Sequence, residues 1–172
     1  YPPVHMGGWD GDLFHWYLNT ASHNTVVVDG QNQKKPVDGV TTLWASGEDF
    51  RVVQASCEAV YEIPKYERTL VMIDISDSDS YILDIFQVVG GRDHAKFMHS
   101  HFGRVTTRGL TLSPCDDYGY RTQMRNFQCD CSPVPGWWVD WQVEDRLGYL
   151  DAGKDVHLRY TDLTTDAQPH LA

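Results

Sequence analysis

Hydrophobic and polar positions along the chain fall into short stretches that are separated by turn signals. Residues 24–29 carry three consecutive valines and end at Asp29-Gly30, a pattern typical of a buried strand that runs into a turn. Residues 41–44 and 50–61 contain small and β-branched residues without a helical stripe, so we expect strands there too.

Two longer apolar stretches, residues 66–75 and 81–89, are separated by a short polar segment at residues 77–80. This arrangement predicts a β-hairpin. Because apolar side chains occupy both faces of both stretches, we expect these strands to be covered on both sides, inside a stack of sheets.

The second half of the chain is richer in Gly, Pro and Asp. Residues 94–102 are a further predicted strand, and residues 103–136 hold only short strand-like pieces. Residues 137–145 and 156–161 alternate between apolar and polar positions, which predicts half-buried strands. In the first of these the predicted core face carries Trp137, Val139, Trp141 and Val143, and the predicted solvated face carries Trp138, Asp140, Gln142 and Glu144.

Many strands, frequent turns and no convincing helix of ten residues or more predict an all-β fold, an antiparallel multi-stranded β-sandwich. The 172 residues suit a single domain, residues 1–172. The chain begins Tyr1-Pro2-Pro3, without an initiator Met or a signal peptide, so we expect a fragment of a larger protein.

The formal net charge of −10 argues against a sequence-independent nucleic-acid binder, which needs a basic face. No apolar run is long enough to span a bilayer. An acidic ligand would need locally concentrated positive charge, and the candidate groups are Arg104 with Arg108 and Arg121 with Arg125. Aromatic residues make up 12% of the chain, a value that suits strand-rich and sugar-binding proteins alike.

The four cysteines leave two possibilities open. Cys115 could form a disulfide with Cys129 or Cys131, because Pro, Asp and Gly between them indicate loops, but buried thiols fit equally well. The spacing of Cys129 and Cys131 is too close for an ordinary zinc knuckle.

Two segments together resemble a known family. The first is Ser22-His23-Asn24-Thr25-Val26-Val27-Val28-Asp29-Gly30-Gln31, with Gln33 close behind. The second is Tyr66-Glu67-Arg68-Thr69-Leu70, followed by residues 81–91, which hold Asp84 and end in Gly-Gly, and then His94. Over about residues 20–103 the order of these motifs is similar to the C-terminal β-sandwich domain of the heparinase II/III-like polysaccharide lyases.

This resemblance implies a lyase that cleaves an alginate- or heparin-like polysaccharide containing uronate by β-elimination. A base removes the C5 proton of the uronate while an acid protonates the departing O4. In that family a helical (α/α) toroid domain, which is absent from this chain, precedes the sandwich, and most catalytic groups lie outside this chain, with Asn24 in a supporting role. The fragment alone should be inactive, and the whole enzyme should be secreted or periplasmic in a bacterium.

The resemblance also implies that His23 is one ligand of a divalent metal, expected to be zinc, whose other ligands come from upstream chain. A second set of metal-ligand residue types, His94, His99 and His101, could be completed by Asp84 or Asp93. Asp84 interrupts an apolar strand, and we expect it to form a structural ion pair with Arg68 on the neighbouring strand.

For substrate binding we expect Trp138 to stack on sugar rings because alternation places it on the solvated face. The other expected substrate-binding residues are Tyr118, Tyr120 and Arg104. Two other functions remain open, a non-catalytic carbohydrate-binding or structural β-sandwich module, and a stand-alone metal-dependent enzyme that uses the histidines of residues 94–101.

Overall fold

The structure is a computed structural model that describes residues 11–35, 38–77, 79–119, 122–151 and 153–172. With 41% strand, 8% helix and several antiparallel sheets, it confirms the predicted all-β, sandwich-like class. The α-helix is α1 (Asp12–Leu18), and 3-10 turns lie at Thr20–Ser22 and Glu58–Val60. The strands are β1 (Val26–Val28), β2 (Val40–Ser46), β3 (Phe50–Ser56), β4 (Lys65–Asp74), β5 (Ser80–Val89), β6 (His94–Lys96), β7 (Gly103–Arg108), β8 (Ser113–Pro114), β9 (Gln128–Cys129), β10 (Trp138–Val143), β11 (His157–Thr161) and β12 (His170–Leu171).

The chain divides into two compact units, residues 18–97 and residues 1–17 with 98–172. Two compact units can belong to one domain, so the single domain over residues 1–172 stays a prediction. Within the described part of the chain, no helix has the length and apolar character needed to cross a bilayer.

The unit formed by residues 18–97 contains a four-stranded sheet in the order β2-β3-β4-β5 and a separate pair, β1 with β6. The predicted hairpin is confirmed, since β4 and β5 pair from Lys65 opposite Val89 to Asp74 opposite Ser80. The valines of β1 are buried as predicted. The core of this unit joins Val26, Val28, Val60 and Tyr66 with the partly buried residues Cys57, Tyr61, Ile63, Phe86 and Val88.

The prediction that β4 and β5 are covered on both sides is wrong. On the face of the β4–β5 hairpin that carries Tyr66, the core of this unit covers only the end of the hairpin near Tyr66. Ile82, near the other end of the same face, is 64% exposed. On the opposite face Ile85 is 42% exposed. The β1–β6 pair is three residues long and too short to cover the ten-residue strands of the hairpin.

Two predicted strands are shorter than expected. The strand expected over residues 50–61 ends at Ser56, and a 3-10 turn at Glu58–Val60 follows. The strand expected over residues 94–102 keeps only His94–Lys96, because its partner β1 is equally short. The Phe97 N–H donates to the carbonyl of Thr25 at 2.8 Å, next to the end of this ladder.

The predicted ion pair between Arg68 and Asp84 is confirmed. The guanidinium binds both carboxylate oxygens, at 2.9 and 3.0 Å, and Lys96 Nζ adds a contact of 3.0 Å. Burial of Asp84 raises its pKa, but the hydrogen bonds and charges of Arg68 and Lys96 outweigh that effect, so its pKa lies below the ordinary 3.8.

The other unit contains two three-stranded antiparallel sheets, in the orders β11-β10-β7 and β12-β9-β8. Cys115 and Cys129 form a disulfide, which decides between the pairings left open by the sequence, whereas Cys57 and Cys131 carry thiols.

Candidate functional site

The register of the β11-β10-β7 sheet gathers polar side chains on one of its faces. Trp138 lies opposite Arg108 and Thr161, and Gln142 lies opposite Arg104 and His157. Paired residues and every second residue along a strand share a face. We call this face the basic face: Arg104, Thr106 and Arg108 of β7, Trp138, Asp140 and Gln142 of β10, and His157, Arg159 and Thr161 of β11.

The opposite face of the same sheet is mostly apolar, which confirms the predicted alternation in β10. Val139 is buried there between Thr107 and Tyr160, and Trp141 lies between Val105 and Leu158. Burial on this apolar face is centred on Val139, since Val105 is 45% exposed, and the basic face is the polar surface of the sheet.

Positive charge exceeds negative charge on the basic face, although the chain as a whole carries a net charge of −10. The three arginines are exposed and are set against Asp140 on the face and Asp155 beside it, while Glu144, the next position of the alternation after β10, is paired with Arg146. The local charge is therefore positive even when His157 is neutral. Such a surface attracts anionic groups, and the attraction weakens as salt screens it.

Asp140 departs from the sequence-based prediction, since it lies on the predicted solvated face but is only 4% exposed. His157 Nδ1 lies 2.6 Å from one carboxylate oxygen, and Arg159 Nε donates to the other at 3.0 Å. These two side chains cover the carboxylate. The hydrogen bond from His157, followed by that from Arg159, holds the pKa of Asp140 below its ordinary 3.8 against the opposing effect of burial.

His157 is the titratable cation of the basic face. Its hydrogen bond to Asp140, helped by the negative charges of Asp140 and Asp155, raises its pKa above the ordinary 6.5 in spite of partial burial. Its Nε2 lies 3.3 Å from Asp155, whose carboxylate also accepts a hydrogen bond from the Gln142 side chain. The face therefore gains charge as the pH falls through the raised pKa of His157.

The side chain of Trp138 is half-buried, and the guanidinium of Arg159 lies 4.5 Å from its ring centroid. This is a cation–π contact, which holds the guanidinium beside an aromatic surface. The sequence identified Trp138 and Arg104 separately, and the structure places both on the basic face.

The other predicted binding residues have different positions. Tyr118 lies in the segment between β8 and β9 and belongs to none of the three strands of the basic face. Tyr120 and Arg121 lie outside the described residues. Arg125 donates to the carbonyls of Thr122 and Met124, so its guanidinium serves its own loop.

His23 and Asn24 lie in the other unit, between a 3-10 turn and β1. Both are exposed, and the carbonyl of Asn24 accepts a hydrogen bond of 2.8 Å from Arg68 Nη1. Within the described ranges, one group of three or more His, Cys, Asp or Glu side chains converges closely enough to hold a metal, and it consists of Cys115, Cys129 and His170. The described residues therefore do not by themselves fit a zinc ion at His23.

The three histidines of residues 94–101 are not brought together as a ligand set. His94 Nε2 lies 2.7 Å from the carbonyl of Gly90 in the unit of residues 18–97. In the other unit, the ring of His99 packs edge-on against Trp16, and His101 Nδ1 accepts the Phe102 N–H.

A cleft of about 240 Å³ lies beside Arg68 on the four-stranded sheet. Its lining residues include Thr41, Ser56, Cys57 and Phe86 and are mostly apolar, and Arg68 is already bound to Asp84. The basic face is the stronger candidate for an anionic ligand, since its arginines outnumber its carboxylates.

Sequence reasoning missed His157 and Arg159, although a signal was present. The two residues share a strand face because they are two positions apart in a segment whose alternation is visible. Their contact with Asp140 depends on the pairing of β10 with β11. This pairing is not visible in the sequence, because residues 144–156 separate the two strands along the chain.

Comparison of this chain with protein-family models, with curated proteins and with solved structures found no match.

Proposed function

We propose that this chain is the polyanion-binding β-sheet portion of a polysaccharide lyase that cleaves an alginate- or heparin-like polymer containing uronate by β-elimination. The observation that carries the proposal is that Arg104, Arg108 and Arg159 share one exposed face with Trp138. Guanidinium groups bind carboxylates and sulfates through paired hydrogen bonds, and an indole offers a flat apolar surface to a sugar ring.

The catalytic step belongs to the enzyme as a whole in this proposal. The resemblance carried by the His23 and Arg68 segments supports a toroid domain that precedes this chain and supplies most of the catalytic groups, with Asn24 in a supporting role. We include a zinc ion at His23 in the proposal, and its other ligands would have to come from outside the described residues.

Secretion to the periplasm or the exterior of a bacterium is also proposed. The disulfide between Cys115 and Cys129 supports it, because disulfides persist in oxidising compartments.

A second candidate function is a non-catalytic carbohydrate-binding module. The observation in its favour is that all residues of the basic face come from this chain, so binding needs no further domain. The two candidates share the ligand and differ in whether the complete protein breaks the polymer.

The first experiment measures binding of alginate and heparin oligosaccharides to the chain by calorimetry. We expect binding that weakens with salt, and we expect Arg104→Ala and Arg108→Ala each to weaken it about fivefold, as loss of one surface charge contact of about 1 kcal/mol. Arg92→Ala is the matched control, since it removes an exposed arginine outside the basic face. Equal effects of Arg92→Ala and Arg104→Ala would contradict the proposed site.

The second experiment separates the two candidate functions. The full-length protein is incubated with the polymer that binds best, and the unsaturated uronate product is followed by its ultraviolet absorbance. Product formation by the full-length protein supports the lyase, whereas tight binding without any product supports the carbohydrate-binding module.

A further inference from the structure

Three side chains of the types that bind zinc meet on the β12-β9-β8 sheet, apart from the basic face. Cys129 on β9 is the direct partner of His170 on β12 and of Ser113 on β8. Cys115 lies two residues beyond Ser113, and its N–H donates to the carbonyl of Phe127, so it continues the same ladder. The two sulfurs and a ring nitrogen of His170 all lie within 4.8 Å of one another.

In the oxidised protein the two cysteines form a disulfide and offer no thiolate to a metal. His170 Nδ1 lies 3.8 Å from Cys115 Sγ, which is a weak contact. The ring of His170 also packs edge-on near Phe127, which is buried. The imidazole is therefore held beside the sulfurs.

We propose that reduction of the Cys115–Cys129 disulfide creates a zinc site whose protein ligands are Cys115, Cys129 and His170. In tetrahedral zinc sites the Zn–S distance is about 2.3 Å and the Zn–N distance about 2.0–2.1 Å, so a sulfur and a nitrogen ligand lie about 3.6 Å apart. The observed 3.8 Å between Cys115 Sγ and His170 Nδ1 is close to this separation.

The two sulfurs must separate to about 3.8 Å in such a site. The Cα atoms of Cys129 and of Cys115, which directly follows β8, are 6.0 Å apart, so rotation of the side chains can open this gap without moving the backbone. Two thiolates and an imidazole are a ligand set that favours zinc over magnesium or calcium, which prefer oxygen.

Burial decreases across the ligand set. Cys129 is 8% exposed, Cys115 is half-buried and His170 is exposed. A metal held by these three side chains would therefore reach solvent on the side of His170, where water supplies the fourth ligand, as in zinc sites that keep an open position.

The chemistry balances with a dithiol reductant and zinc as the partners. The dithiol transfers two electrons and two protons to the disulfide, so the S–S bond breaks, two thiols form and the dithiol becomes a disulfide. Zinc binding then releases the two thiol protons to water. A disulfide oxidant reverses both steps. It accepts the two electrons, takes two protons from water and becomes a dithiol, while the S–S bond of Cys115 and Cys129 re-forms and zinc leaves, so the site is sensitive to the redox state.

The test titrates Co²⁺ and then Zn²⁺ into the 172-residue protein under anaerobic conditions, before and after treatment with a dithiol. We expect one Co²⁺ per chain in the reduced protein only, with thiolate-to-cobalt charge-transfer absorbance that zinc abolishes. We also expect zinc to raise the melting temperature of the reduced protein and to leave that of the oxidised protein unchanged.

Variants identify the ligands. Cys129→Ser should abolish the charge-transfer band or reduce it to that of one thiolate, and His170→Gln should weaken cobalt binding about tenfold or more. Cys131→Ser is the matched control, because Cys131 is an exposed thiol two residues from Cys129, and it should bind like the unaltered chain.

Three results would overturn the proposal. These are a reduced protein that binds no cobalt, cobalt binding of equal strength in the oxidised protein, or binding that Cys131→Ser weakens as much as His170→Gln does. A reduced chain that unfolds and stays unfolded when zinc is added would also overturn the proposal, because it binds no metal at this site.

Discussion

Asp84 and Asp140 are both shielded carboxylates on β-strands, and each is bound by two cationic side chains. Asp84 is held by Arg68 and Lys96, and Asp140 is held by His157 and Arg159. The pKa of each carboxyl is lowered, in both cases because the hydrogen-bonded cations outweigh burial. The difference lies in the cations, since Arg and Lys stay charged at neutral pH whereas His titrates there.

The surroundings of the two carboxylates differ as well. Arg68 also binds the carbonyl of Asn24, so its guanidinium ties β4 to β5 and to the segment that precedes β1. On the basic face Arg159 binds Asp140 and also lies over Trp138, with Arg104 and Arg108 exposed nearby on β7. The same pairing of charges thus serves as an internal brace in one unit and belongs to a solvent-facing surface in the other.

The largest expected effect is on stability at the internal brace. Asp84→Asn leaves Arg68 and Lys96 without their carboxylate while both are about 30% exposed or less. Removing one partner of a fully buried pair costs 3–5 kcal/mol, and the partial exposure here reduces the expected loss in the free energy of unfolding to about 2 kcal/mol. Urea denaturation measures this change.

Asp74→Asn is the matched control for Asp84→Asn, because Asp74 pairs with Arg51 in the same sheet and the Arg51 side chain is 58% exposed. Its loss should stay below about 1 kcal/mol. The loss in Asp84→Asn should be equal at about pH 6 and pH 8, since neither Arg nor Lys titrates in that range. Equal losses in the two variants would contradict the assignment of Asp84 as a brace.

The next effect concerns pH dependence at the basic face. The pKa of His157 is raised above 6.5, so its pair with Asp140 contributes stability that is fully present below 6.5 and is lost as the pH rises through the raised value. The lowered pKa of Asp140 adds a contribution that is present above 3.8 and lost as the pH falls through the lowered value. Both contributions are fully present between pH 3.8 and pH 6.5, so the pair stabilises the fold most in that range.

Binding of an acidic oligosaccharide should follow the charge of His157. We expect affinity to rise severalfold as the pH falls through the raised pKa of His157, because the face gains one positive charge. In His157→Gln the affinity should stay flat over this range, whereas His94→Gln, which removes an exposed histidine of the other unit, should keep the pH dependence. Calorimetry at several pH values tests this, and an unchanged pH profile in His157→Gln would refute it.

The internal brace was predictable from the sequence because its two strands form a hairpin. The short polar segment between them limits the register, and two polar residues in apolar stretches have few partners available. The ion pair of Arg68 with Asp84 followed from this pattern, while Lys96 was missed because it comes from β6, outside the hairpin.

The basic face was predictable only in part. Alternation placed Trp138 on the outer face, and the net charge drew attention to Arg104 and Arg108, but sequence cannot place β7 and β11 on either side of β10. Asp140 was expected to be solvated for the same reason, because the side chains that cover it come from β11. Contacts between strands joined by long connections are set by tertiary packing, which local patterns do not encode.

The smallest expected effect is a difference in how strongly the two carboxylates that contact His157 raise its pKa. Asp155 is 68% exposed and lies 3.3 Å from His157 Nε2, whereas Asp140 is buried and lies 2.6 Å from Nδ1. Asp155→Asn should therefore lower the pKa of His157, but by less than Asp140→Asn does, since water screens the exposed charge. NMR titration of the His157 ring protons measures both shifts, with the exposed Asp166→Asn as a control that should leave the His157 titration unchanged. If Asp155→Asn moved the pKa as far as Asp140→Asn, the buried carboxylate would not be the main partner of His157, and the contrast with Asp84 would lose its basis.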